Sequence, residues 1–213
     1  DKHPSFAQLL QKDGYETAYV GKWHQAPTAE PRPGFDYWLS FKGQGIHFDP
    51  PLNENGRDFT AKGYMTDILT DYADQWLRRP HDGPWCLCLG HKAVHGPFQP
   101  PERDENLFPD AQMPEPPNWK DTFEGKPRWL RAERAGGGWK RRAVPDSVDV
   151  PEAIPPEPWN PRAGARMNQL RMIKAIDDGM GRILDTLQEI GELDNTVIMF
   201  TSDNGYFHGE HRR

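Results

Sequence analysis

The 213-residue chain has only two cysteines, Cys86 and Cys88. They lie in Trp85-Cys-Leu-Cys-Leu89, a run with strand character. Residues i and i+2 of a strand point the same way, roughly 6.6–6.8 Å apart. Parallel side chains at that spacing do not close a relaxed disulfide. Two thiols with no further ligands in reach make a poor zinc site, so a pair of core thiols is expected. Also lacking is any apolar run long enough to cross a bilayer. Positive charge is not in excess: the formal net charge is -6, which removes the electrostatic case for nucleic acid as a partner. Internal repeats are missing as well. No leader pattern occurs at Asp1-Lys2-His3-Pro4, and there is no initiator Met. The chain opens inside a helix pattern and closes on Arg212-Arg213, directly after a loop. An internal piece of a longer protein is expected, so the missing leader says nothing of the compartment.

What is present suffices for a core. Hydrophobic residues make up 35% and aromatics 11%, enough for one domain or a large part of one. The most strand-like stretch is Thr196-Val-Ile-Met-Phe-Thr-Ser202, apolar toward both sides, which predicts a buried strand. It stops on Asp203-Asn204-Gly205. In an open α/β sheet, ligands bind beyond the carboxyl ends of the strands, and Asp203 and Asn204 offer hard oxygen donors there. An ordinary Asn-Gly turn is the plainer reading of the same residues.

Two more strand ends carry chemistry. Ser5 caps a helix whose predicted apolar face is Phe6, Leu9 and Leu10, with Gly14 as its stop. Residues 15–20 then alternate as a strand and end in Gly21-Lys22-Trp23-His24. Residues 25–63 are rich in Gly, Pro and Asp and read as loops and short strands. Tyr64–Arg78 is an amphipathic helix with Met65, Ile68, Leu69, Tyr72, Trp76 and Leu77 inward and Asp71 and Asp74 in water. The strand 85–89 follows and ends in Gly90-His91-Lys92-Ala93-Val94-His95-Gly96-Pro97. Residues 97–161 hold most of the 22 prolines and read as a long excursion without sustained helix or sheet. Its basic residues Lys126, Arg128, Arg131, Arg134, Lys140, Arg141 and Arg142, interleaved with Trp129 and Trp139, read as a solvated insertion or as a contact for an anionic substrate. The longest helix spans 162–190. Its predicted stripe is Met167, Leu170, Ile173, Ile176, Met180, Ile183, Leu184, Leu187 and Ile190, with Gly179 and Gly181 allowing close packing on the sheet. Alternating helices and buried strands make the chain α/β.

Three segments now add up. Gly14-Tyr-Glu-Thr-Ala-Tyr-Val-Gly-Lys22-Trp23-His24 resembles a signature of the formylglycine-dependent (type I) sulfatases. Lys92-Ala-Val-His95-Gly-Pro-Phe98 resembles their substrate-facing segment. Phe200-Thr-Ser-Asp203-Asn204-Gly205, followed by Gly209-Glu210-His211, resembles their metal-binding strand end. Order and spacing agree outside the Pro-rich insert. The resemblance implies the alkaline phosphatase superfamily: a mixed, largely parallel central sheet flanked by helices, here as a partial domain over 1–213 with the excursion 97–161 inside it. It implies hydrolysis of sulfate esters, on a sulfated small molecule or a sulfated glycan. By resemblance Asp203 and Asn204 are Ca2+ ligands, Lys22 contacts the sulfate, His24 holds the hydrated aldehyde, and His95 faces the ester oxygen as proton donor. Lys92 is a second sulfate contact. A periplasmic, secreted or lysosomal compartment is implied too.

Elementary chemistry agrees with these roles. Charge on the sulfuryl oxygens needs cations, and an alcohol leaving group needs a proton. The chain also departs from the pattern. Neither cysteine stands in a Cys-x-Pro-x-Arg context, so the formylglycine nucleophile is expected upstream of Asp1, together with the paired aspartates of the calcium site. The chain alone is therefore expected to be inactive. Two other classes fit the same strand ends. One is a phosphoesterase or phosphonate hydrolase with His208 and His211 joining Asp203 around zinc or manganese. The other is a degenerate, non-catalytic module.

Overall fold

The computed structural model describes residues 3–25, 28–135, 144–160 and 164–212. They divide into two compact units, Asp1–Pro109 with Met167–Met199, and Asp110–Arg166 with Phe200–Arg213.

The first unit is built on one sheet of five strands: β1 (Glu16–Lys22), β2 (Tyr37–Phe41), β3 (Pro51–Glu54), β4 (Arg57–Thr60) and β5 (Trp85–Gly90), in the order β4-β3-β2-β1-β5. β1 runs parallel to β2 and to β5, whereas β2–β3 and β3–β4 are antiparallel. The β3–β4 turn is Asn55-Gly56, both at positive φ (50° and 90°), as a two-residue hairpin loop matching strand twist requires. The mixed sheet follows from this: β2, β3 and β4 run antiparallel in succession, while β1 meets its parallel neighbours β2 and β5 only through longer connections.

Helix α1 (Phe6–Lys12) opens with a capping box. The Gln8 amide donates to Ser5 Oγ at 3.2 Å, and the Ser5 amide donates to Gln8 Oε1 at 2.9 Å. The expected apolar face is corrected: Ala7 is buried, while Phe6 and Leu9 stay about half exposed. The helix lies on the Gly34–Asp36 turn, where a Cβ on Gly34 would come within 2.8 Å of Gln8. Gln11 donates to Asp36 at 2.7 Å. Small and polar residues therefore take the contact.

Helix α2 (Met65–Leu77) covers the sheet. Ala18, Val20, Leu39, Phe41 and Leu52 meet Met65, Leu69, Ala73, Trp76, and Ile183 and Leu187 of the long helix in one core. Each such large side chain, taken from water, stabilises by about 1.5–3 kcal/mol. Asp71, 48% exposed, stays in water as expected, and with the less exposed Asp74 it also ties two helices together. Arg182 pairs with Asp71 at 2.6 Å, Thr186 donates to Asp74, and Arg78 bridges Asp74 and Glu189. The long helix α4 spans Gly164–Glu189. Its inward face is Met172, Ala175, Gly179, Ile183 and Leu187, while Ile173 and Leu184 of the expected stripe are exposed. Gly179 packs on α2 rather than on the sheet: a Cβ there would lie 2.6 Å from Thr70 Oγ1, whereas Gly181 faces open space.

Two expectations about strands change. β5 ends the sheet, so its residues are half-buried throughout and Cys86 and Cys88 are free thiols at an edge, not core thiols. The predicted strand at 196–202 is not formed. A buried strand needs a neighbour for its ladder, and no strand pairs with this segment among the described residues. Val197, Met199 and Phe200 are 86%, 88% and 76% exposed.

The second unit is mostly irregular, as its prolines dictate, with one short helix α3 (Arg128–Arg134) starting after Pro127. Its arginines staple backbone. Arg128 donates to the Val144 and Pro145 carbonyls, and Arg212 to those of Asp121, Ile154 and Pro155. The guanidinium groups of Arg134 and Arg212 lie 5.6 and 5.2 Å from the Phe123 ring. Arg131 pairs with Glu152 at 2.5 Å. These contacts tie the described arginines to backbone and ring partners. Gly136–Arg142, which includes Trp139, Lys140 and Arg141, lies outside the described residues.

Candidate active site

The parallel register fixes one edge of the sheet. Gly21 pairs with Gly90 and with Ser40, and Lys22 pairs with Phe41. The carboxyl ends of β1, β2 and β5 therefore lie side by side. Gly21 is required there: its φ is 130°, and a Cβ would meet the Gly90 carbonyl oxygen at 1.9 Å. Lys22, Trp23 and His24 leave from β1, and His91 to Pro97 from β5. Trp23 is fixed by a cluster of rings, with Tyr19 and Trp38 at centroid distances of 5.1 and 5.4 Å. The Tyr19 hydroxyl donates to the Lys22 carbonyl. Burial, with Cys88 adding to it, pushes that phenol up to about 12, so it stays a donor.

Lys92 is 2% exposed, and its Nζ donates to the Gly96 carbonyl at 3.2 Å. Burial depresses its pKa, and the positive charge of Lys22 depresses it further. Two cations thus stand at one corner, which favours an anionic ligand. His95 is exposed, and its Nδ1 lies 2.9 Å from the same Gly96 oxygen. A carbonyl can only accept, so Nδ1 carries the hydrogen and Nε2 is left to other partners. His24 is exposed, with Nε2 at 2.9 Å from Gln44 Nε2. The amide donates here, and the imidazole accepts.

Two residues of this edge were missed by sequence reasoning. Gln44 and His47 follow β2, whose five buried residues were hidden in a Gly- and Pro-rich region. The strand-end logic that marked Lys22 and His95 would have marked them once Tyr37–Phe41 was recognised as a strand. His91 stands at the same edge with both ring nitrogens buried and unpartnered among the described residues.

Lys22, His24, Lys92 and His95 thus stand at one edge of the sheet, in the first unit. Asp203 and Asn204 belong to the second, on an exposed turn in which Ser202 Oγ donates to the Asn204 carbonyl at 2.7 Å and Asn204 Nδ2 to that of Gly205 at 2.8 Å. Their oxygens suit a hard cation, but two donors fall short of the six to eight of calcium. Among the described residues no three His, Cys, Asp or Glu side chains gather as a metal site. His211 Nδ1 instead lies 3.3 Å from Asp121, which weakens a His208–His211 metal pair.

The chain is an α/β protein with two lysines and two histidines at the ends of adjacent parallel strands. Comparisons with known proteins give its family. The Sulfatase family model matches residues 1–213, and the chain belongs to the sulfatase family. It is 32% identical over 253 residues to an N-acetylglucosamine-6-O-sulfatase of Bacteroides thetaiotaomicron, a match covering 97% of the chain and 45% of that protein. An extracellular sulfatase SULF-1 homolog of Drosophila melanogaster is 24% identical, over 97% of the chain and 18% of its own length. A solved structure of a protein in complex with its substrate D-glucosamine-2-N,6-O-disulfate superimposes with a TM-score of 0.75 at 31% identity, covering 99% of the chain and 51% of that protein. The chain therefore spans about half, or less, of the relatives it matches. The family is metal-dependent in character. No helix among the described residues is long and apolar enough to cross a membrane.

Proposed function

We propose that these residues form part of the catalytic domain of a sulfatase that hydrolyses a sulfate ester on an amino sugar, and that the complete protein holds calcium. The observation that carries the reading is the cation corner: a buried Lys92 and His95 on the loop that leaves β5, beside the end of β1 that carries Lys22. Negative charge on the sulfuryl oxygens is stabilised by the two lysines, in a place where burial strengthens the attraction. A protonated His95 Nε2 gives its proton to the departing sugar oxygen. His24, oriented by Gln44, holds the nucleophile, which comes from outside these residues. Asp203 and Asn204 would supply two oxygens to a calcium ion, whose chemistry would be to draw electrons from a sulfuryl group. The glucosamine assignment is supported by the two similar proteins that act on or bind such sugars. A compartment outside the cytoplasm is part of the same proposal, supported by the extracellular relative.

The test is sulfate release from glucosamine 6-O-sulfate by the complete protein. Lys92→Ala and His95→Ala should each lower kcat/KM by about 10²–10³-fold. A complete protein that cleaves phosphate monoesters and leaves the sulfate ester intact would sink the reading, as would variants that keep wild-type rates.

A further inference from the structure

The connection after β2 reaches beneath the loop that carries His95. His47 is 1% exposed, and its Nε2 lies 3.1 Å from the His95 carbonyl oxygen. The carbonyl accepts, so Nε2 carries the hydrogen. Nδ1 is then a bare lone pair, buried and without a partner among the described residues. The ring is stacked on Tyr64, with centroids 6.0 Å apart. The His47 carbonyl accepts from the Met65 amide at 2.7 Å, which anchors the residue to the first turn of α2. Tyr64 meanwhile donates its hydroxyl to the Gln99 carbonyl at 3.1 Å, beyond the far end of the same loop. From above, Lys92 and His95 both close on the Gly96 carbonyl. The His95 loop is thereby held by one rigid donor on its underside.

A histidine is a costly choice if only bulk is needed. Burial and the charge of Lys92 lower its pKa and favour the neutral ring, against the opposing pull of the His95 and Pro97 carbonyls. A neutral ring here carries one proton, and the carbonyl dictates where that proton stands. We infer that His47 is a positioning residue for His95: its Nε2–H pins the His95 backbone so that the imidazole of His95 presents Nε2 to the ester oxygen. This rests on the reading of His95 given above. Proton transfer needs heavy atoms within hydrogen-bond reach, and a misplacement of about 1 Å costs on the order of 10²-fold.

Glutamine and asparagine test the idea, because the Gln amide nitrogen reaches the place of a histidine Nε2 and the shorter Asn does not. In the complete protein, acting on glucosamine 6-O-sulfate, His47→Asn should lower kcat by about 10–100-fold with KM within about threefold of wild type. His47→Gln should recover most of the loss, while both variants melt at similar temperatures. In a His95→Ala background, His47→Asn should add little, since the group it positions is gone. Equal impairment by Asn and Gln, an unaffected His47→Asn, or a full further loss in the His95→Ala background would each overturn the inference. If the wild type releases no sulfate, the function proposed above fails, and the positioning role fails with it.

Discussion

At the scale of single residues, His91 makes a cost visible. Desolvation holds its pKa down to about 4, against the slight opposing pull of Asp67. The unfolded chain takes up this proton near pH 6.5, so between pH 6.5 and about 4 it binds more protons than the folded chain. Stability therefore falls as pH falls through that window and levels off below it. The gap corresponds to at most ~3 kcal/mol. His91→Leu should flatten this stretch of the stability-against-pH curve, as read from denaturant midpoints at pH 7, 5.5 and 4.5. A curve of unchanged slope would show that the ring is solvated. Lys22, His24, Lys92 and His95 were legible in sequence because each follows a clear strand. His47 and Gln44 were not, since Tyr37–Phe41 carries little alternation to mark it: all five residues are buried.

Among elements, the helices were read well and one strand was not, for a physical reason. A helix satisfies its backbone within itself, so α2 and α4 are where their periodicity puts them. A strand needs a neighbour, and Thr196–Ser202 has all the residues of a strand without a ladder among the described ones. The faces of helices are harder to read than the helices, because Ile173 and Leu184 keep the period and still face out. The two glycines of α4 make a paired test. Gly179→Ala drives a methyl into Thr70, which is held by its bond to the Thr66 carbonyl at 2.9 Å. It should destabilise by about 1–3 kcal/mol, with relief on adding Thr70→Ala. Gly181→Ala meets nothing and should stabilise by about 0.5–1 kcal/mol. Thermal melts of the three variants decide it, and like signs for the two glycines would refute the packing.

For the whole molecule, the prediction concerns the ion. If carboxylates from elsewhere in the complete protein join Asp203 and Asn204, Asp203→Ala removes an anionic ligand and should lower bound calcium and turnover together. Asn204→Ala should act in the same direction and less. His208→Ala and His211→Ala should leave the ion in place, because His211 already faces Asp121. Elemental analysis of the four purified variants reads this directly. Zinc that disappears with His208→Ala would point to the phosphoesterase chemistry instead.

The ladder between β1 and β5 has a consequence in time. Ala18 and Leu87 are partners, roughly seventy residues apart along the chain, and parallel pairing over such a span has no short loop to start it. The β3–β4 hairpin and α2 close locally and early. The edge that holds Lys22 and Lys92 therefore assembles after that hairpin and helix, and a nascent chain waits with its two cationic strand ends still apart.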